Sequence, residues 1–144
     1  MLYEWNDSLS VGYGPMDKQH RQFFAINAEL SNELGKIGGA DEKELLKIIA
    51  DLLAYTRSHF SDEEQLMQQV GFPDFGRHKE AHDAFISIVR DLEAKVLNGE
   101  LHTVASFLPP FVGDWLTRHI AVEDKQYAGY LKTRSAVQAA RNWL

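Results

Sequence analysis

The sequence predicts an all-α protein, folded as an up-down-up-down four-helix bundle with an extended N-terminal arm and a short C-terminal helix. Four segments carry apolar residues at alternating steps of three and four, which is the spacing of a packing seam between helices. Breaks that contain glycine or proline separate these segments, and short connections favour antiparallel neighbours. Because 144 residues, of which 44% are hydrophobic, suffice for one core, we expect a single domain over residues 1–144.

The first element is an arm over residues 1–15. It lacks helical periodicity and contains the turn-forming sequence VGYGP, so we expect an extended chain there. Its aromatic residues Tyr3, Trp5 and Tyr13 are expected to clamp it onto the four-helix bundle, which is predicted over residues 16–131.

The first two helices are predicted over residues 17–37 and 41–70, on either side of a glycine pair at 38–39. Asp41, followed three residues later by Glu44, resembles a capping box, which is typical of a helix N-terminus. The start of the second helix is therefore well marked in the sequence.

The third and fourth helices are predicted over residues 76–97 and 107–131, after the breakers GFP and NG. The sequence LPPF suits the first turn of the fourth helix, where proline is tolerated. Residues 132–144 are expected to add a short helix, over 134–143, that packs Trp143 back on the bundle. The seam of the fourth helix is expected to contain Leu108, Val112, Trp115, His119 and Val122.

Composition excludes several classes of function. The formal charge is −6 and no basic stripe is present, which argues against binding to nucleic acid. The N-terminus lacks the positive end and apolar run of a secretion signal, and no apolar segment approaches the roughly 20 residues that span a bilayer. We expect a cytoplasmic protein without a membrane partner. The absence of cysteine excludes disulfides and thiolate metal sites.

The predicted seams contain polar side chains that a core does not ordinarily hold. These are His20, His59, Glu63, His78, His82 and His119. In an antiparallel bundle, residues equally far from a connecting turn lie at the same height, and by this rule the five histidines fall in one layer. Burial of Glu63 without a counter-charge would cost several kcal/mol, and the seams supply no lysine or arginine. The sequence therefore predicts a metal site.

The spacing alone leaves a second carboxylate ligand undecided within the segment HIAVED. Glu123 follows His119 by four residues, whereas Asp124 follows it by five. An ideal helix favours Glu123, because five residues turn a side chain about 140° away. Both acids remain candidates on this basis.

The segments YEWNDSLSVGYGPMDKQH, HFSDEE, HKEAH and HIAVED, in this order, resemble the hemerythrin family, in particular its stand-alone bacterial members. The resemblance covers essentially the whole chain. It implies two non-heme iron ions bridged by an oxo or hydroxo group, with three histidines on one iron, two on the other and two bridging carboxylates. The resemblance implies that His78, His82 and His119 bind one iron and that His20 and His59 bind the other. The implied bridging carboxylates are Glu63 and Asp124.

The choice of Asp124 over Glu123 rests on this resemblance. A locally widened helical turn is our hypothesis for how Asp124 reaches the same side as His119.

The resemblance also implies reversible dioxygen binding, for oxygen transport, storage or delivery rather than catalysis. Counting the ligands leaves one open position, on the iron held by His20 and His59, and dioxygen is expected there. That position must exclude water. The residues expected to line this oxygen pocket are Phe23, Phe24, Phe60, Trp115, Leu116 and Ile120.

Two alternatives remain open: a diiron peroxidase or ferroxidase, and an oxygen or redox sensor that acts through a separate partner. For a carrier, we expect a monomer that serves an oxygen-consuming acceptor protein. Glu64, Glu123 and His102 are expected to be solvated, and Asp17 is expected to mark the start of the first helix.

Overall fold

The structure is a computed structural model that describes residues 3–36, 39 and 41–142, with side chains as far as Arg134. Within these residues it contains five α-helices and no strand, so the all-α prediction is confirmed. The helices are α1 (Gly14–Leu34), α2 (Glu42–Val70), α3 (Phe75–Leu97), α4 (Leu101–Arg118) and α5 (Lys125–Asn142). A short 3-10 turn, Asp7–Leu9, precedes them, and a π-helical turn, His119–Asp124, joins α4 to α5.

Neighbouring helices pack as an up-down-up-down bundle. Helix α1 packs against α2 and α4, and α3 packs against the same two helices. Their inward faces enclose one apolar core that extends from Leu9 to Ala128. In the described part of the chain, no helix is both long enough and apolar enough to cross a membrane.

The limits of α2 agree with the sequence signals. The Asp41 side chain accepts hydrogen bonds from the backbone N–H groups of Lys43, at 2.9 Å, and Glu44, at 3.4 Å. At the other end, Gly71 has φ 66°, a left-handed conformation that glycine adopts without strain. The predicted helix start at residue 41 is confirmed as a cap.

Helix α1 begins and ends earlier than predicted. The carbonyl of Tyr13 accepts from the N–H groups of Met16, at 3.1 Å, and Asp17, at 3.0 Å, so the first turn forms around Pro15. Proline is tolerated there because its missing N–H would have no helical partner. The helix ends at Leu34, and the predicted extension to residue 37 reaches beyond the described residues.

The predicted start of α4 at residue 107 is wrong. The helix begins at Leu101, directly after the turn at Gly99, so Pro109 and Pro110 lie inside it. Val104 and Leu108 are fully buried, and their burial holds the turns before the prolines in helical form.

The predicted break near residue 132 is also wrong. Helix α5 runs without interruption from Lys125 to Asn142, because neither glycine nor proline follows Gly129. The predicted contact of Trp143 with the bundle lies outside the described residues.

Several contacts fix the arm to the bundle. Tyr3 lies against Gly113, where a Cβ atom would stand 2.2 Å from the tyrosine ring. The guanidinium of Arg21 lies 4.1 Å from the centre of the Trp5 ring, a cation–π contact. The carboxylate of Asp17 accepts from the N–H of Val11 at 2.9 Å. Asp17 thus lies in the first turn of α1, as predicted, and also holds the arm.

Candidate metal centre

Seven buried polar side chains meet across the middle of the bundle, and we call them the polar layer. Each is at most 6% exposed. They are His20 from α1, His59 and Glu63 from α2, His78 and His82 from α3, and His119 and Asp124 from the π-helical turn. The predicted convergence of histidines from four helices on one level is therefore observed.

The π-helical turn decides which acid faces the polar layer. The N–H of Lys125 bonds to the carbonyl of Ile120, a spacing of five residues that defines a π-type turn. This widening brings Asp124 to the same side as His119, with 3.1 Å between Asp124 Oδ1 and His119 Nε2. The predicted widened turn is confirmed. Glu123 instead lies near the surface, 3.6 Å from Arg77.

The same widening corrects the predicted seam of the fourth helix. Val122, expected in the core, is 51% exposed, whereas Asp124 is fully buried. The extra residue in the turn shifts the register of every residue that follows it.

Three histidines and one acid form the first half of the polar layer. His119 Nε2 lies 3.1 Å from His82 Nε2 and 3.1 Å from His78 Nε2. Asp124 Oδ1 lies 3.2 Å from His78 Nε2. One ligand atom from each of these four residues falls within 4.8 Å of the others, the arrangement of a metal-binding group.

Two histidines and the other acid form the second half. His59 Nε2 contacts Glu63 Oε1, as expected for residues four apart on one helix. His20 Nε2 lies 3.9 Å from Glu63 Oε1. These three residues again offer ligand atoms within 4.8 Å of one another.

Both carboxylates face the two halves at once. Asp124 Oδ1 contacts His78 and His119, whereas Asp124 Oδ2 lies 3.1 Å from His20 Nε2. Glu63 Oε1 contacts His59, whereas Glu63 Oε2 lies 4.0 Å from His78 Nε2. Each acid thus points one oxygen at each group of histidines.

The electrostatics of the layer favour two charged acids. Burial alone would raise the pKa of Asp124, but His119, His20 and His78 hold that pKa well below its ordinary value. Burial lowers the pKa of His20, but the carboxylates of Asp124 and Glu63, which face this ring, raise it to about 9 overall. Without a bound cation, a proton on His20 therefore compensates part of the charge of the acids.

A pair of metal ions fits the donors that are present. Within the described residues, His20 Nε2 and all four carboxylate oxygens of Glu63 and Asp124 have no hydrogen-bond partner. Buried polar atoms rarely lack partners, and here they face a common space. Imidazole nitrogen and carboxylate oxygen are ligands for iron and zinc, so divalent cations would satisfy these atoms.

Two further contacts hold histidine rings of the polar layer from outside, and sequence reasoning missed both. His82 Nδ1 donates to Glu64 Oε2 at 2.9 Å, and His59 Nδ1 donates to Gln19 Oε1. The expectation that Glu64 is solvated is wrong, because its side chain is 18% exposed and lies against His82. A residue that adjoins the polar layer in sequence carries no signal for such a contact, since the packing of two helices creates the contact.

Tyr127 is a third neighbour that sequence reasoning missed. Its ring centre lies 5.6 Å from that of His78, and its side chain is fully buried. Burial raises the pKa of Tyr127, and the nearby charges of Glu63 and Asp124 raise it further.

Aromatic rings from α1, α2 and α4 contact the histidines of the polar layer. Phe60 stacks on His82 with 3.7 Å between ring centres, and Trp115 stacks on His119 at 4.3 Å. Phe23 meets His59 edge-on at 5.1 Å. Of the other predicted pocket residues, Phe24, Leu116 and Ile120 are buried in the core. His102 is exposed and lies away from the layer, as expected.

Comparison with known proteins gives a consistent result. The family model described as hemerythrin HHE cation binding domain matches residues 11–131. The bacteriohemerythrin of Stenotrophomonas maltophilia is 31% identical over 132 residues, which cover 91% of this chain and 82% of that protein. The myohemerythrin of Sipunculus nudus is 31% identical and covers 90% of this chain and 93% of its own length.

Solved structures share the same fold. A crystal structure of wild-type hemerythrin superimposes with a TM-score of 0.78 at 30% identity, covering 91% of this chain and 98% of that one. The crystal structure of a hemerythrin mutant in which one leucine is replaced by alanine gives a TM-score of 0.78 as well, over 90% and 97% of the two chains.

Proposed function

Because the chain belongs to the hemerythrin family, we propose that its polar layer holds a non-heme diiron centre that binds dioxygen reversibly. His78, His82 and His119 would hold one iron, and His20 and His59 the other. Glu63 and Asp124 would bridge them, and an oxo or hydroxo group would complete the bridge.

One observation carries the proposal of two metal ions. Each carboxylate directs its two oxygens to different groups of histidines: Asp124 Oδ1 to His119, and Asp124 Oδ2 to His20. A single ion would need both groups to converge on one point. Two ions joined by carboxylates account for this split and for the buried oxygen atoms that have no hydrogen-bond partner in the described part of the chain.

The distribution of histidines indicates where dioxygen would enter. The side of His20 and His59 offers two imidazoles, and the other side offers three. Two ferrous ions, when bound, supply the two electrons that dioxygen takes up and returns on release. The rings of Phe23 and Phe60 both lie against His59, at 5.1 Å and 5.9 Å between ring centres, so apolar rings exclude water from this side of the layer.

The donor set favours carriage over catalysis. It contains five imidazoles and two carboxylates, whereas diiron carboxylate enzymes take a Glu from each of two helices and a Glu-x-x-His motif from each of the other two. Fewer anionic ligands stabilise high-valent iron less, so we propose that dioxygen leaves unchanged. One chain supplies all seven proposed ligands, which supports action as a monomer.

The test is to count metal ions and record visible spectra of protein purified from iron-replete culture. We expect two irons per chain and an oxygen-dependent charge-transfer band that disappears under vacuum and returns with air over repeated cycles. The zinc-loaded protein is the control and should show no such band. Iron-free protein that remains folded would refute the proposal. Rapid, irreversible decay of the band, with oxidation of an added donor, would instead indicate a peroxidase or ferroxidase.

A further inference from the structure

The two halves of the polar layer differ in what holds their ligands from outside. His82 Nδ1 donates to the carboxylate of Glu64, whereas His59 Nδ1 donates to the amide oxygen of Gln19. We propose that Glu64 and Gln19 are positioning residues that make the two metal ions unequal, with the tighter ion on the side of His82. This inference rests on the proposed diiron function.

The chemistry of the two acceptors is the reason for the difference. An imidazole that donates its Nδ1–H to a carboxylate becomes a stronger donor at Nε2, because the acceptor's charge polarises the ring. An amide oxygen is neutral and polarises the ring less. His82 therefore gains metal affinity that His59 does not.

The structure fixes the Gln19 amide in the required orientation. Its Nε2 donates to Asp62 Oδ2 at 3.0 Å, so Oε1 is the atom that faces His59. As an acceptor, Oε1 requires His59 Nδ1 to carry the proton. The free Nε2 of His59 then faces the centre of the layer.

Glu64 is fixed from the opposite side. Its second oxygen lies 3.9 Å from Lys79 Nζ, which itself bonds to Asp83 at 2.9 Å. Because Lys79 shares its charge between two acids, Glu64 keeps most of its negative charge for His82. The neighbouring Glu63 points into the polar layer. Adjacent residues of α2 therefore contact the polar layer differently, since Glu63 lies within it and Glu64 binds the outer nitrogen of His82.

The other ligands do not cancel this asymmetry. Among the described residues, Nδ1 of His20 and Nδ1 of His78 have no hydrogen-bond partner. Neither half therefore gains a second polarised imidazole from these two rings. The contrast between Glu64 and Gln19 remains the main difference in the outer contacts.

The experiment is a titration of the metal-free protein with Co²⁺, followed by visible absorption. We expect two binding steps in the unaltered protein. Glu64→Gln should weaken the tighter step by about 10- to 100-fold, since loss of such an outer partner has this effect on metal affinity. Glu123→Gln is the matched control: it removes a carboxylate beside the other bridging acid, but one that faces Arg77, so both steps should be unchanged.

A reciprocal exchange tests the Gln19 half. Gln19→Glu combined with Asp62→Asn exchanges the amide and the carboxylate at constant charge and keeps a donor for the new acceptor. This double variant should tighten the weaker step and bring the two affinities together. In the dicobalt protein, Glu64→Gln should also shift one exchangeable imidazole N–H resonance, a change that altered folding alone does not produce.

The outcomes separate this inference from the proposed function. Two binding steps that Glu64→Gln leaves unchanged would overturn the inference and leave the diiron centre intact. A single step that takes up two Co²⁺ per chain would also overturn the inference, because the two sites would then be equal. Binding of fewer than two Co²⁺ per chain in the unaltered protein would overturn the proposed function itself. Weakening by Glu123→Gln equal to that by Glu64→Gln would also overturn the inference, because it would show a general charge effect.

Discussion

Two neighbouring layers of the core are largely buried and chemically opposite. The polar layer holds five histidines and two acids, whereas the layer beside it, which we call the apolar layer, consists of Phe23, Phe60, Phe85, Trp115 and Leu116. The two layers touch directly, because Phe60 stacks on His82. The degree of burial therefore does not show which of the two layers stabilises the fold without a bound ligand.

The difference lies in whether each layer is complete. In the apolar layer, Phe85 lies 4.3 Å from Trp115 and 5.9 Å from Phe60 between ring centres, so every ring has partners within the protein. In the polar layer, the oxygens of Glu63 and Asp124 have no hydrogen-bond partner among the described residues. The polar layer is thus complete only when cations are bound, and its contribution to stability depends on them.

The largest expected effect comes from removing one imidazole of the polar layer. His119→Ala should lower the iron content and reduce the free energy of unfolding of the iron-loaded protein by about 3–5 kcal/mol. The reason is that Asp124 and Glu63 would keep their charges with less compensation. Urea unfolding and elemental analysis measure the two effects.

His102→Ala is the matched control for this change. His102 is exposed and lies in α4, the helix that leads into the π-helical turn of His119, so its loss should change stability by less than about 0.5 kcal/mol. An unchanged iron content in His119→Ala would count against the ligand assignment. Equal losses of stability in the two variants would remove the distinction between the layers.

Much of this contrast could be predicted from the sequence. The alternating steps of three and four place His59 and Glu63 on the buried face of α2, and the turns set the height of each histidine. These are local properties, because the first residue and the length of a helix determine the face and the height at which each of its side chains lies. The limits of α2 and α3 were predicted closely for the same reason.

The parts that were not predicted depend on packing between helices. Helix α4 continues through Pro109 because burial of Val104 and Leu108 outweighs the cost of proline, and a local rule cannot express this. Glu64 reaches His82, and Gln19 reaches His59, across helix interfaces. The π-helical turn was predicted only in part. The family resemblance indicated Asp124 and hence a widened turn, whereas the geometry of an ideal helix favoured Glu123.

An intermediate effect is expected where the layers meet. Leu116→Asn places an amide in the apolar layer at a position that is 2% exposed. We expect a loss of about 3 kcal/mol, from the lost apolar burial and an unsatisfied buried amide. Both irons should remain bound, but the oxygen-dependent band should decay faster, because water can approach the centre.

Leu97→Asn is the control, since Leu97 is 64% exposed and lies at the end of α3. It should leave stability and the decay of the band nearly unchanged. Loss of iron from Leu116→Asn, or decay as slow as in the control, would show that the apolar layer does not protect the centre.

The smallest effect, on the order of 2 kcal/mol, is expected from pH in the metal-free protein. The pKa of His20 lies at about 9 in the fold, above its ordinary value of 6.5, because the carboxylates of Asp124 and Glu63 face it and outweigh the lowering by burial. A raised pKa stabilises the fold fully below pH 6.5, and this stabilisation is lost as the pH rises through about 9.

Urea unfolding of the metal-free protein should therefore show stability falling between pH 6.5 and about 9, while the iron-loaded protein changes little. Metal-bound imidazoles carry no added proton to lose, so iron replaces the proton as the counter-charge of the acids. Parallel pH profiles for the two forms would mean that the acids are compensated by something other than the histidines and the metal. Profiles that diverge only above pH 6.5 would locate the compensation in the polar layer, because the apolar layer contains no group that titrates in this range.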